Sequence, residues 1–298
     1  MLRDFQDLRT AARGRGTVRV AVAAAQDREV MEAVQAAIRE GLIEATLVGD
    51  EAIIASWVRE LEVQARIVHE PDLGRASLLA AGLVRDGEAQ VLMKGLVNSA
   101  IFLKAALDPE RGLRTGRLLS HLAVLETPGR PKLEFFTDGG MNIAPGLDEK
   151  RAILGNALDA VAQMGIRTPK VAVLCANEQV SPKMPATVDA QALVQEWQAG
   201  AFRPCVVEGP IALDVAVSPE AARHKAIQSQ VSGDVDIYLV PSIEAGNLMT
   251  KGMIYYAKAK FAGVILGATH PMVLVSRADT AEAKLNAIAM AALLSKQA

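Results

Sequence analysis

The sequence predicts an α/β protein with mostly parallel sheets and flanking helices. Short β-branched runs alternate with helical stretches along the 298 residues, and two of those runs are apolar on both faces. The runs are Thr17 to Ala23, Thr46 to Val48, Arg66 to Val68, Val91 to Met93, Val171 to Cys175, Cys205 to Val207, Val235 to Val240 and Val264 to Leu266. Val171 to Leu174 and Ile237 to Val240 lack polar alternation, as strands covered by helices on both sides do. The composition is 51% hydrophobic with only 4% aromatic residues, so Ala, Val, Leu and Ile must fill the core. The length suits one α/β domain or two smaller ones.

One region breaks the alternation. Leu118 to Leu125 and Lys132 to Phe136 are joined by Thr127-Pro128-Gly129-Arg130-Pro131, too short for a helix, which predicts an antiparallel hairpin over 118–136. The Gly- and Pro-rich stretch from Thr137 to Gly146 then leads into a helix from about Asp148. Such a loop lines a cleft or simply turns the chain. Near the C-terminus, Ala281, Leu285, Ile288 and Ala292 share one helical face, and Asp279 and Glu282 have N-cap and N3 spacing, placing the helix start at about Asp279. Met272 to Arg277 reads as the strand before it.

Composition narrows the function classes. Lys plus Arg total 32 against 34 Asp plus Glu, without the basic excess of a general nucleic-acid binder. No apolar stretch approaches a membrane span, and Met1 to Arg15 alternates charged and apolar residues without an apolar leader core, so a cytoplasmic location is expected. Cys175 and Cys205 form no C-x-x-C pair and read as core thiols. His69, His121, His224 and His270 lack metal-ligand spacing, and neither a dinucleotide fingerprint nor a phosphate loop is present. No metal or redox cofactor is expected.

Two segments carry chemistry. A strand delivering Ser276 and Arg277 to a helix start would bring a hydroxyl, a guanidinium fork and free backbone N–H groups together, which suits phosphate or a carboxylate. A helix start that merely turns the chain fits equally well. Lys94-Gly95-Leu96-Val97-Asn98-Ser99 follows the strand at Val91, at the carboxyl end where open α/β sheets hold ligands.

Val240-Pro241-Ser242-Ile243-Glu244-Ala245-Gly246-Asn247, followed by Gly267-Ala268-Thr269-His270-Pro271 and Val275-Ser276-Arg277-Ala278-Asp279, resembles the phosphate acetyltransferase and phosphate butyryltransferase family. Met93 to Ser99, Phe136 to Asn142 and Ser276-Arg277-Ala278-Asp279 look most like the butyryltransferase branch. The resemblance covers most of the chain. It implies a two-domain fold similar to isocitrate and isopropylmalate dehydrogenases, with an interdomain active-site cleft and a homodimer. Residues 1–116 plus 268–298 would form one domain and 117–267 the other.

The resemblance also implies a reaction: acyl-CoA plus phosphate gives acyl phosphate plus CoA, with CoA a substrate and no cofactor. Ser276 and Arg277 match residues that take part in catalysis and phosphate binding, and Lys104 matches a second basic residue across a one-residue gap. Ser99 is expected beside that phosphate; Lys94, Asn98, Asn142 and Asn247, in the matching motifs, are expected on substrate. Acetyltransferases carry an aspartate proposed to deprotonate the CoA thiol where this chain has Ala283, leaving Glu282 and Asp279 as the nearest carboxylates. Phosphate acetyltransferase and a non-catalytic acyl-CoA- or phosphate-binding regulator are the alternatives.

Overall fold

The computed structural model describes residues 2–274, 276 and 279–295. Leu2–Arg117 and the chain from Phe261 onward form one compact unit, the terminal unit; Leu118–Lys260 form a second, the inserted unit.

The terminal unit begins with α1 (Phe5–Arg13), β1 (Val18–Ala23), α2 (Arg28–Arg39), β2 (Ile43–Gly49), α3 (Glu51–Glu60), β3 (Arg66–His69), α4 (Leu73–Arg85), β4 (Val91–Lys94) and α5 (Ser99–Ala106). All five helices start on Asp4, Asp27, Asp50, Asp72 or Asn98, each side chain accepting a first-turn backbone N–H. That satisfies donors with no partner inside the helix.

The inserted unit follows as β5 (Ser120–Glu126), β6 (Glu134–Thr137), α6 (Leu147–Gln163), β7 (Lys170–Leu174), α7 (Pro185–Gln198), β8 (Val206–Ile211), α8 (Leu213–Val217), α9 (Pro219–His224), β9 (Ile237–Leu239) and α10 (Ile243–Tyr255). The expected hairpin is present: β5 and β6 run antiparallel, with Ala123 opposite Phe136. Strand order is β5-β6-β9-β7-β8, with every pair after the hairpin parallel. Tyr238 stacks on Phe136 at 4.6 Å and donates its hydroxyl to the buried Glu134 carboxylate at 2.9 Å, while Arg130 Nε donates to the same oxygen at 3.0 Å. The buried carboxylate thus has partners that offset its desolvation.

The chain returns to the terminal unit through β10 (Lys260–Leu266), β11 (Met272–Val273) and α11 (Ala281–Leu294). Strand order here is β3-β2-β1-β4-β11-β10, parallel throughout except for the β10–β11 pair. Two sequence expectations need correction. The strand predicted over Met272 to Arg277 ends at Val273; Leu274 and Ser276 lie outside it, and Arg277 falls outside the described residues. The last helix starts at Ala281, with Thr280 as N-cap accepting from Ala283 N at 3.2 Å, because Asp279 uses its carboxylate elsewhere. Burial of α11 extends beyond the face of Ala281, Leu285, Ile288 and Ala292: Ala283 through Leu294 are all buried, since the helix packs against α1 and α2 as well as β4 and β11.

Candidate functional site

Parallel register brings the carboxyl ends of three strands side by side in the terminal unit. Ala23 of β1 pairs with Lys94 of β4, and Met93 of β4 pairs with Val273 of β11. Everything that follows these strands therefore leaves from one edge of the sheet, the edge where open α/β sheets bind ligands. Lys94, Asn98, Ser99 and Lys104 leave from β4, and Ser276 and Glu282 from β11.

The exit of β4 is tightly seated. Gly95 N donates to Ala23 O at 2.8 Å and Leu96 N to Ala24 O at 2.7 Å. A Cβ on Gly95 would stand 2.2 Å from Ala24 O, so only glycine permits this approach of two backbones. Lys94 is buried, its Nζ donating to the Gly95 and Val97 carbonyls at 3.3 and 3.2 Å. Its ammonium braces the loop from within. Asn98 accepts from Ala100 N at 2.8 Å and caps α5; Ser99 opens that helix on its exposed side, and Lys104 is exposed in its last turn. Asn98 is thus occupied with capping, and it is exposed, as are Ser99 and Lys104.

Ser276 is exposed, and its backbone is tied to Asp279 twice: Ser276 N donates to Asp279 Oδ2 at 2.8 Å, and Asp279 N donates to Ser276 O at 3.1 Å. The sequence signal for this was the Ser-x-x-Asp spacing of 276 and 279, which was passed over because Asp279 was paired with Glu282 as a helix cap. Glu282 is exposed in the first turn of α11, next to the buried Ala283 methyl. Arg277, the guanidinium expected to grip phosphate, lies outside the described residues.

Asn142 and Asn247 belong to the inserted unit, around Asp138, which the sequence-derived candidates omit. Asp138 Oδ1 accepts from Gly140 N and Met141 N at 2.8 Å each; Oδ2 accepts from His121 N at 3.0 Å and Asn142 Nδ2 at 2.6 Å. An Asp before two glycines is the signal for such a turn. Asn142 also donates to Leu119 O at 2.9 Å, and Asn247 to Gly139 O at 3.5 Å. Both asparagines hold the 137–146 loop.

The cysteines are buried as expected. Burial pushes the Cys175 and Cys205 thiols up to about 11 each, with the Lys150 charge opposing the rise at Cys175 and Asp189 adding to it. Neither has the lowered value of a nucleophilic thiolate. Among the described residues, no three His, Cys, Asp or Glu side chains are grouped as a metal ion would need, and no helix is long and apolar enough to cross a membrane.

Comparison with known proteins gives the arrangement a family. The phosphate acetyl/butaryl transferase family model matches residues 59–292. The chain is 44% identical over 297 residues to a phosphate butyryltransferase of Clostridium acetobutylicum, covering 99% of both chains. It is 42% identical over 285 residues to a phosphate acetyltransferase of Thermotoga maritima, covering 95% of this chain and 96% of the other. The crystal structure of a branched-chain phosphotransacylase from Enterococcus faecalis superposes with a TM-score of 0.81 at 31% identity, covering 94% of this chain and all of that one. A 4-hydroxythreonine-4-phosphate dehydrogenase of Klebsiella pneumoniae, with a TM-score of 0.58 at 13% identity over 92% of this chain and 98% of that one, shares the fold alone. With a family model over most of its length and relatives matched end to end, the chain belongs to the phosphate acetyl/butaryl transferase family.

Proposed function

We propose that the protein is a phosphate acyltransferase of the butyryltransferase type, converting a short-chain acyl-CoA and inorganic phosphate into acyl phosphate and CoA. What supports this reading is that Ser276 follows β11, whose Val273 pairs with Met93 of β4, in a chain matched end to end by a phosphate butyryltransferase.

A phosphate oxygen attacks the thioester carbonyl, the tetrahedral intermediate collapses, and the C–S bond breaks. The proton of the phosphate hydroxyl ends on the departing CoA sulfur. No acyl-enzyme is required, which agrees with two buried thiols of raised pKa. The Ser276 hydroxyl donates to the developing oxyanion or to the sulfur. Arg277, helped by Lys104 and Ser99, neutralises and orients phosphate; holding two reactants together and stabilising developing charge supply most of the barrier reduction. Glu282 handles the thiol proton, because the position that would hold an aspartate is the buried Ala283. Lys94 from within and the exposed Asn98 through its cap on α5 shape the substrate edge, and Asn142 and Asn247 hold a loop that we assign to substrate binding.

We place the enzyme in the cytoplasm as a homodimer needing no metal or redox cofactor. Exposed Leu248, Tyr255 and Tyr256 on and just after α10 supply apolar area for self-association. Release of CoA from acetyl- through hexanoyl-CoA, followed with and without phosphate, tests the reading. Highest kcat/KM for butyryl-CoA is expected; an acetyl preference would favour the second reading, a phosphate acetyltransferase, which the Thermotoga maritima relative supports.

A further inference from the structure

α11 is an apolar helix that contains one buried lysine. From Ala283 to Leu294 its neighbours are Ala, Leu, Ile, Met and a single Asn, yet Lys284 has only 3% of its side chain exposed. Burying an ammonium is costly unless it is paired and hydrogen-bonded. Here Lys284 Nζ donates to Glu29 Oε2 at 2.8 Å and to the Asp279 carbonyl. Glu29 stands in the first turn of α2, which follows β1, so the lysine links two chain segments leaving the same sheet edge.

The second partner gives the contact a purpose. Asp279 already accepts the Ser276 N–H through its carboxylate and donates its own N–H to Ser276 O. A hydrogen-bonded path therefore runs from the N-terminal turn of α2 through Lys284 and Asp279 to the backbone of Ser276. A leucine at 284 would fill an apolar helix position but could hold neither group.

We propose that Lys284 is a positioning residue for the acyl-transfer reaction, fixing Asp279 and through it the orientation of Ser276. This rests on the role proposed for Ser276. Lys284 does not touch substrate. Removing it lets the serine hydroxyl wander from the developing charge, a loss felt more in the transition state than in substrate binding.

The test is a double-mutant cycle with Ser276→Ala and Lys284→Met, reading kcat, KM for acyl-CoA and cooperative unfolding in each protein. Lys284→Met is expected to fold and to lower kcat about tenfold with KM for acyl-CoA within about twofold; in the Ser276→Ala background it should cost less than about twofold more. Wild-type kcat per folded Lys284→Met protein, or an undiminished loss in the Ser276→Ala background, would overturn the inference. Wild-type kcat in Ser276→Ala alone would show instead that the Ser276 assignment is wrong, and the inference falls with it. Should Lys284→Met not fold, Glu29→Gln decides, because that side chain is 52% exposed and Gln keeps its size. Its kcat should fall several-fold in the Ser276 background and hardly at all with Ser276→Ala; unchanged kcat in the Ser276 background would overturn the inference.

Discussion

The Asp279 carboxylate accepts the Ser276 backbone N–H at 2.8 Å, while Thr280, the next residue, caps α11. The two carboxylates near the proposed reaction centre thereby differ in role: Asp279 shapes the backbone, and Glu282 is the one we propose for proton transfer.

Asp279→Asn retains an oxygen that can accept the Ser276 N–H and should keep kcat within about threefold, whereas Asp279→Ala removes it and should lower kcat by about five- to tenfold, the equivalent of one hydrogen bond. Glu282→Gln should lower the rate from acyl phosphate and CoA by about 10² or more, as loss of a general base does. Steady-state kinetics in both directions distinguish these outcomes. A greater loss in Asp279→Asn than in Glu282→Gln would exchange the assignments.

Gly95 and Gly82 make a matched pair for stability. The Cβ of Gly95→Ala would meet Ala24 O at 2.2 Å and Ala23 O at 2.7 Å, both backbone atoms, so β1 and β4 must part; a loss of about 2–3 kcal/mol is expected. Gly82→Ala lies inside α4 with nothing within 4 Å of the added carbon and should gain about 0.5–1 kcal/mol. Urea unfolding of both variants checks the pair; a neutral Gly95→Ala would mean that the two strand ends can separate freely.

The fold was legible where periodicity and turn chemistry act locally, and less so where tertiary contacts decide. The 118–136 hairpin follows from a Pro-Gly connection too short for a helix, and β1, β4, β7 and β9 follow from apolar runs. The strand at Met272 was overextended because Leu274 and Val275 are as β-prone as Met272 and Val273, and no local signal shows where pairing with β4 stops. At the proposed site, Ser276 could be nominated from residue type and its place between strand and helix, whereas Glu282 came only from the family resemblance. The Lys284–Glu29 contact could not: 255 positions separate the two residues, and a lysine in a helix normally signals a solvated face.

The cysteines predict a pH dependence. Below the ordinary thiol value of 9.0 both thiols are protonated in folded and unfolded chains alike. Between that value and about 11 the unfolded chain releases thiol protons that the folded chain retains, so this contribution to stability is lost as pH rises through the window. Wild type should lose stability from pH 9 to 11 more steeply than a Cys175→Ala, Cys205→Ala double variant, as read by urea midpoints. Equal slopes would mean that the thiols are not desolvated. The double variant should also retain turnover, since neither sulfur carries the acyl group.

Phosphate-dependent release of CoA from butyryl-CoA, measured for wild type, Ser276→Ala and Arg277→Lys alongside thermal unfolding, is the most direct test that this chain transfers acyl groups at Ser276 and Arg277. Wild type should release CoA only when phosphate is present. Folded Ser276→Ala should show kcat lowered by about 10²–10³ with a smaller change in KM, as when one oxyanion donor is lost, and Arg277→Lys should use phosphate poorly although it keeps the charge. CoA release independent of phosphate, or wild-type turnover in folded Ser276→Ala and Arg277→Lys, would contradict it.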